Sequence, residues 1–259
     1  MNCTALSTKN LDHLGIVAGI CDKIELVETI NSCIEPNERL VSVGQATKAL
    51  ILNALGFISR PLYLTPEFFQ NKPVELLLRE GLTPESLNDD CLGRALDTLY
   101  HSGLSEIFAV VASQSLLLFD IKFKGAHLDS TSISLQGAYL NSLPQDDSLE
   151  DGEPQPIHIT YGHSKDKRPD LKQAVLSLIC AHESTIPIWI EALSGNTSDK
   201  ASFPKTIRSY LEQLSESEQK EMFFIVDSAL YSEDNLKTLL GIYWITRVQR
   251  NFYPCKRSN

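Results

Sequence analysis

The sequence contains no run approaching ~20 apolar residues, the length a helix needs to cross a bilayer, so no membrane span is expected. It has no basic leader followed by an apolar core, so no secretory signal is expected; residues 11–21 are mildly apolar but carry Asp12, His13 and two glycines. No CxxC pair is present. The six cysteines (Cys3, Cys21, Cys33, Cys91, Cys180, Cys255) are scattered, which argues against a structural zinc site and fits reduced thiols in a cytosolic protein. GxSxG, Walker, GxGxxG and HExxH patterns are all missing, which argues against serine-hydrolase, nucleotide-binding and zincin readings. Positive charge is also short: 23 Lys and Arg face 33 Asp and Glu, a net charge of −10. Such a chain does not coat nucleic acid by bulk charge, although a local basic groove is compatible with it.

What is present suffices for a sizeable core. The chain has 259 residues, 42% of them hydrophobic, enough for one large domain or two smaller ones. Its first part reads as helical throughout. Apolar residues recur at helical spacing from Leu11 to Ile34, in two pieces with Asp22 as a cap for the second. Ser42 opens a helix that reaches about Phe57. Thr65-Pro66-Glu67 and Thr83-Pro84-Glu85 are each a cap followed by proline at the first helical position. Asn88 starts a helix ending near Gly103, and another runs from Ser105 to about Phe119.

The character changes at Lys122. Strands are expected at 123–136, 157–161, 174–181, 186–193, 222–226 and 243–248, with helices at 200–214 and 232–240. Residues 141–156, rich in Pro, Asp, Glu and Ser, read as an exposed hairpin loop. Hairpin-joined strands come first, and a strand–helix–strand unit, implying a parallel pair, comes after them. The charge shifts at the same boundary, from a net −7 over residues 1–120 to −3 over residues 121–259, with Lys165, Lys167, Arg168 and Lys172 bunched together.

The chain is organised around His127-Leu128-Asp129-Ser130-Thr131-Ser132, a polar island inside the first strand. An Asp in mid-strand is disfavoured, and a lone buried carboxylate costs several kcal/mol unless it is paired or holds a metal. The second Asp in a comparable setting is Asp227, after the strand ending at Val226. Two strand-borne carboxylates make an oxygen site suited to Mg²⁺ or Mn²⁺, and the chemistry they suggest is two-metal phosphoryl transfer. Asp227 taken alone reads equally as a strand-end cap. The stretch Tyr161–Gln173 places Lys165, Arg168 and Lys172 where they could grip phosphates, with Gly162 allowing a sharp turn; it reads equally as a solvated hairpin, because Asp166 and Asp170 offset half its charge. Ser194–Lys200 reads as a loop with an N-cap for the next helix. His127, His158, His163 and His182 offer a rival, a His/Asp metallohydrolase, without a clustered pattern behind it.

Four stretches carry a resemblance: Asn88-Asp89-Asp90 with Leu92–Asp97, then His127–Ser132, Tyr161–Gln173 and Val226–Tyr231. At these residues the chain resembles the DDE transposases of bacterial insertion sequences, in the IS4-like group and its IS1634-type branch. The resemblance implies an α/β fold: an RNase H-like mixed sheet, incomplete at its C-terminus, over residues 121–259, preceded by an all-α domain over residues 1–120. It implies Mg²⁺-dependent (or Mn²⁺-dependent) cleavage and strand transfer of DNA in the cytoplasm of a bacterium, at the nucleoid. Asp129 and Asp227 are then catalytic residues and metal ligands; Lys165, Arg168 and Lys172 contact DNA. The partners implied are transposon ends and target DNA, with a homo-oligomer compatible and no membrane. The family's third acid is a Glu on a helix beyond the fifth strand. Here the eleven residues after Val248 hold no Glu or Asp, and Glu221 and Glu233 lie too early. The expectation is therefore a truncated chain, inactive alone, or a non-catalytic DNA-binding or dimerising regulator of a full-length transposase.

Overall fold

The computed structural model describes residues 8–36, 38–139, 156–164 and 167–248. Residues 141–155 of the expected exposed loop at 141–156, and the tail from Gln249 to Asn259, lie outside the described residues. The chain divides into two units between Leu118 and Phe119. None of the helices described is long and apolar enough to cross a membrane.

The first unit is helical: α1 (Leu14–Lys23), α2 (Leu26–Ser32), α3 (Val43–Ala54), α4 (Thr65–Phe69), α5 (Val74–Leu77), α6 (Asp89–His101) and α7 (Leu104–Leu118). Two of the expected starts are capped by side chains. Ser42 Oγ accepts from the Gln45 N–H, and Asn88 Oδ1 accepts from the Cys91 N–H, each satisfying a donor that the first helical turn leaves open. Two are corrected. Asp22 does not cap α2, because Glu25 occupies that position with a left-handed backbone, φ 52°. Asp22 instead meets Lys48 Nζ at 2.5 Å; Lys48 is only 1% exposed, and a buried ammonium requires a counter-charge. Thr65 does not cap α4 either. It is the helix's first residue, fully buried, and its hydroxyl accepts from Asn53 Nδ2. A Cβ on Gly44 would stand 2.4 Å from the Val27 carbonyl oxygen, so α2 and α3 approach closely only because Gly44 has none. Leu14, Ala46, Leu52, Phe69, Leu87 and Leu92 fill the core between the helices.

The second unit is an α/β layer. Its elements are β1 (Gly125–Leu135), β2 (Lys172–Ala181), β3 (Pro187–Ser194), α8 (Asp199–Leu211), α9 (Glu216–Glu221), β4 (Phe223–Val226), α10 (Glu233–Thr238) and β5 (Tyr243–Thr246). The sheet order is β3-β2-β1-β4-β5. The first three strands are an antiparallel meander; β4 pairs parallel with β1, and β5 parallel with β4. This is the RNase H-like arrangement. The expected strand at 157–161 is not formed. Only Thr160 bridges to Gln173, since the two backbone groups that Thr160 exchanges with β2 are not continued by its neighbours.

Period-2 alternation sorts the side chains into two faces. Trp189, Ile179, Leu128 and Phe224 point to the covered face, where α8 lays Phe203, Ile207 and Tyr210 against them. The Tyr210 ring sits 6.0 Å from Trp189 and 6.4 Å from Phe224, edge-on to both, a favoured aromatic geometry. The other face leaves Ile133, Tyr243 and Ile245 exposed. α9 was not anticipated, although Ser215 and Glu218 close a reciprocal capping box at its start.

Candidate functional site

Strand β1 carries two sequences of side chains. Its inward face runs Ala126, Leu128, Ser130, Ser132, all buried; its outward face runs His127, Asp129, Thr131, Ile133, all exposed. The expectation of a buried Asp129 is thus corrected. The apolar members that must leave water are the even ones, so the carboxylate falls on the solvent side and pays no desolvation cost. Its Oδ1 accepts from the Ser130 N–H at 2.8 Å.

Register brings the second acid alongside. In the parallel β1–β4 ladder the last pair is Leu128 with Val226. Asp129 and Asp227 each lie one residue beyond it, so they follow adjacent positions at the carboxyl ends of neighbouring strands. Asp227 is exposed, and its Oδ1 accepts from the Ala229 N–H at 2.8 Å, capping the short 3₁₀ turn Ser228–Leu230. Asp227 therefore does cap a turn, and it also stands beside Asp129. Among the described residues no group of three or more His, Cys, Asp and Glu side chains is placed to hold a metal ion. Two exposed carboxylates still fit a hard, oxygen-seeking divalent cation, because Mg²⁺ is commonly held by one or two carboxylates with water and substrate phosphate completing its shell.

Behind this pair, on the inward side of β1, lies a cavity of about 310 Å³ lined by Ser130, Ser132, His163, Asp199, Lys200 and Ala229 among others. Ser130 Oγ donates to Asp199 Oδ1 at 2.5 Å. Ser194–Lys200 is consequently more than a capping loop. Ser198 occupies the cap position of α8 without a side-chain capping bond, while Asp199 reaches across to β1. Asp199 was missed at the sequence level, where its position at a helix start explained it.

The Tyr161–Gln173 stretch is built around a close crossing. A Cβ on Gly162 would lie 1.9 Å from the Gly195 oxygen, and one on Gly195 would lie 1.9 Å from the Gln173 oxygen. Gly162 therefore serves close approach rather than the sharp turn expected of it. Gln173, 1% exposed, donates through Nε2 to the Gly195 carbonyl at 2.7 Å, and its buried Oε1 has no hydrogen-bond partner among the described residues. This crossing presents His163 to the cavity.

Of the three basic residues assigned to DNA, Lys165 lies outside the described residues. Arg168 forms a two-pronged bond with Asp170 at 2.8 and 2.7 Å; this pairing raises the guanidinium pKa and lowers that of the carboxyl. Lys172 Nζ donates to the carbonyls of Ala138 and Tyr139. Both cations thus hold their own loops together. Of the histidines, His127 and His182 are joined to each other, Nε2 to Nδ1 at 2.7 Å.

A family model described as a domain of unknown function (DUF4277) matches residues 6–113. No curated protein matches the chain. Among solved structures, the piggyBac transposase synaptic complex with hairpin DNA is similar with a TM-score of 0.41 and 10% identity, over 96% of this chain and 52% of that one. The Mos1 transposase paired-end complex with left transposon end gives 0.30 and 11%, over 82% and 59%. A pre-cleavage Mos1 transpososome gives 0.30 and 12%, over 92% and 78%. The chain spans about half the length of the piggyBac transposase it matches.

Proposed function

We propose that residues 119–259 carry the two-aspartate part of a DNA-processing site of the DDE transposase type, in the IS4-like group and its IS1634-type branch, and that the chain acts on the ends of a mobile DNA element. The observation that carries this reading is the register that sets Asp227 beside Asp129 at the carboxyl ends of two parallel strands. Ligand sites in open sheets with parallel strands gather at those ends, where the backbone turns away and side chains converge.

Asp129 and Asp227 would hold Mg²⁺ or Mn²⁺, which when bound polarises a phosphodiester and makes water or a 3′-hydroxyl a better nucleophile. The chain's own residues orient those acids. The Ser130 N–H fixes one Asp129 oxygen and the Ala229 N–H one Asp227 oxygen. Arg168 and Lys172 would meet the phosphate backbone only by exchanging their present partners, so they contribute less to DNA affinity than free cations would.

A second reading is a chain that binds element ends, alone or with a further copy, without cutting them. The test is a filter-binding and nicking assay on DNA flanking the coding sequence, in EDTA and in Mn²⁺. Nicking in Mn²⁺ that disappears in Asp129→Ala supports the enzyme; specific binding without nicking supports the binder. Failure to bind that DNA in preference to unrelated DNA would contradict both.

A further inference from the structure

Asp129 lies on β1 and Asp227 follows β4, yet a path of part-buried hydrogen bonds and neighbouring residues connects them. It begins at Asp129, whose carboxylate is held by the Ser130 N–H. The Ser130 hydroxyl, on a residue 5% exposed, donates to Asp199 at the first position of α8. The next residue, Lys200, has a carbonyl without its ordinary intrahelical donor. Its intrahelical donor would be the N–H four residues on, and that residue is Pro204, which has none. Asn235 of α10, 7% exposed, supplies the missing donor: its Nδ2 donates to the Lys200 carbonyl at 3.0 Å and to the Leu230 carbonyl at 3.1 Å. Leu230 closes the short turn that Asp227 caps. The path from one acid to the other thus runs through Ser130, Asp199, the proline-freed carbonyl and Asn235.

We propose that Ser130, Asp199 and Asn235 are positioning residues that set the separation of Asp129 and Asp227, a role that deepens the function proposed above and rests on that reading. Physically, two carboxylates bind a small cation well only if their spacing is held before it arrives, since any ordering left to the binding step is subtracted from affinity. Strand pairing alone does not hold it here, because the β1–β4 ladder ends at Leu128 and Val226, one step before the acids. Both strand ends are instead tied to the first turn of α8. Asn235 is suited to the role because its amide nitrogen has two hydrogens and meets two carbonyls.

The test is Mn²⁺ affinity of the whole chain by electron paramagnetic resonance, with thermal denaturation alongside. Ser130→Ala, Asp199→Ala and Asn235→Asp should each weaken Mn²⁺ binding by about tenfold or more, the usual effect of removing a residue that orients a metal ligand. Asn235→Asp keeps the volume and removes the donor. Ser130→Thr and Asp199→Asn keep the hydroxyl and the acceptor oxygen, and should bind within about threefold of the parent. A merely structural role would lower the melting temperature and leave the Mn²⁺ affinity of the folded chain unchanged; that result would overturn the proposal. Binding by the parent that survives Asp129→Ala, or no binding by the parent, would overturn the functional reading and this inference with it. Binding lost in Asp129→Ala but unaltered in all three brace variants would overturn this inference alone.

Discussion

In the helical unit the buried polar side chains that find partners do so in two small sets along α3. Lys48 meets Asp22, and Asn53 meets Thr65 and both the N–H and carbonyl of Arg60. In the sheet unit they gather. Ser130, Ser132, Ser177, Ser202, Thr206 and Asn235 are all buried between the sheet and the helices α8 and α10. Burying polar groups costs stability unless each is paired. Two small sets, each held by a tertiary partner, are compatible with packing a helical core. A clustered set near the end of a strand, with exposed acids beyond it, is a cost that packing alone does not explain. The contrast teaches where to look for chemistry: at the point where the inward face of β1 passes from Ala126 and Leu128 to Ser130 and Ser132.

The largest effect that would break this contrast is in the apolar layer. Phe224→Ala should destabilise the sheet unit by about 3–5 kcal/mol in chemical denaturation, because Phe224 is fully buried against Tyr210. Asp22→Ala should cost about 1–2 kcal/mol, because Lys48 is buried and loses its partner while Asp22 itself is largely exposed and screened by solvent; the double variant with Lys48→Met should recover most of the loss. Neither change should alter Mn²⁺ binding, and a parallel loss of Mn²⁺ binding in Asp22→Ala would remove the distinction between the two units. Ser42→Ala should cost about 1 kcal/mol, the ordinary value of an N-cap, again with no change in cation affinity.

A smaller effect concerns pH. Burial pushes the Tyr210 phenol well above its ordinary value of 10.0. Folding therefore favours the protonated form. That stability is fully present below the ordinary value and is lost as pH rises above it, because the unfolded chain releases the proton first. Tyr210→Phe should flatten the decline in stability above about pH 10. An unchanged alkaline limb would mean that Tyr210 is hydrated.

Much of the helical unit was legible because helix starts are local. Ser42 and Asn88 precede their helices with the side chains that caps require. The Ser215–Glu218 box was equally local and went unread beside stronger apolar patterns. Asp22 and Thr65 misled because each had a tertiary partner, Lys48 and Asn53, that spacing along the chain does not reveal. The strands were legible from alternation, but not which face would be buried, so Asp129 was assigned to the wrong side. The neighbourhood of Asp129 and Asp227, 98 residues apart, is a property of register. Pro204 announces an orphan carbonyl at Lys200 to anyone who knows that α8 is a helix; that Asn235 fills it is visible only in the fold.

The central claim is that Asp129 and Asp227 form one cation site. The most direct measurement is a Mn²⁺ titration of the whole chain and of the single variants Asp129→Ala and Asp227→Ala, with melting temperatures recorded in parallel. Both acids are exposed, so removing either should change stability by no more than about 0.5–1 kcal/mol. The expected result is a Mn²⁺ site in the parent that either substitution abolishes. A site that survives one substitution while the other removes it would show that the two carboxylates act separately and would contradict the account.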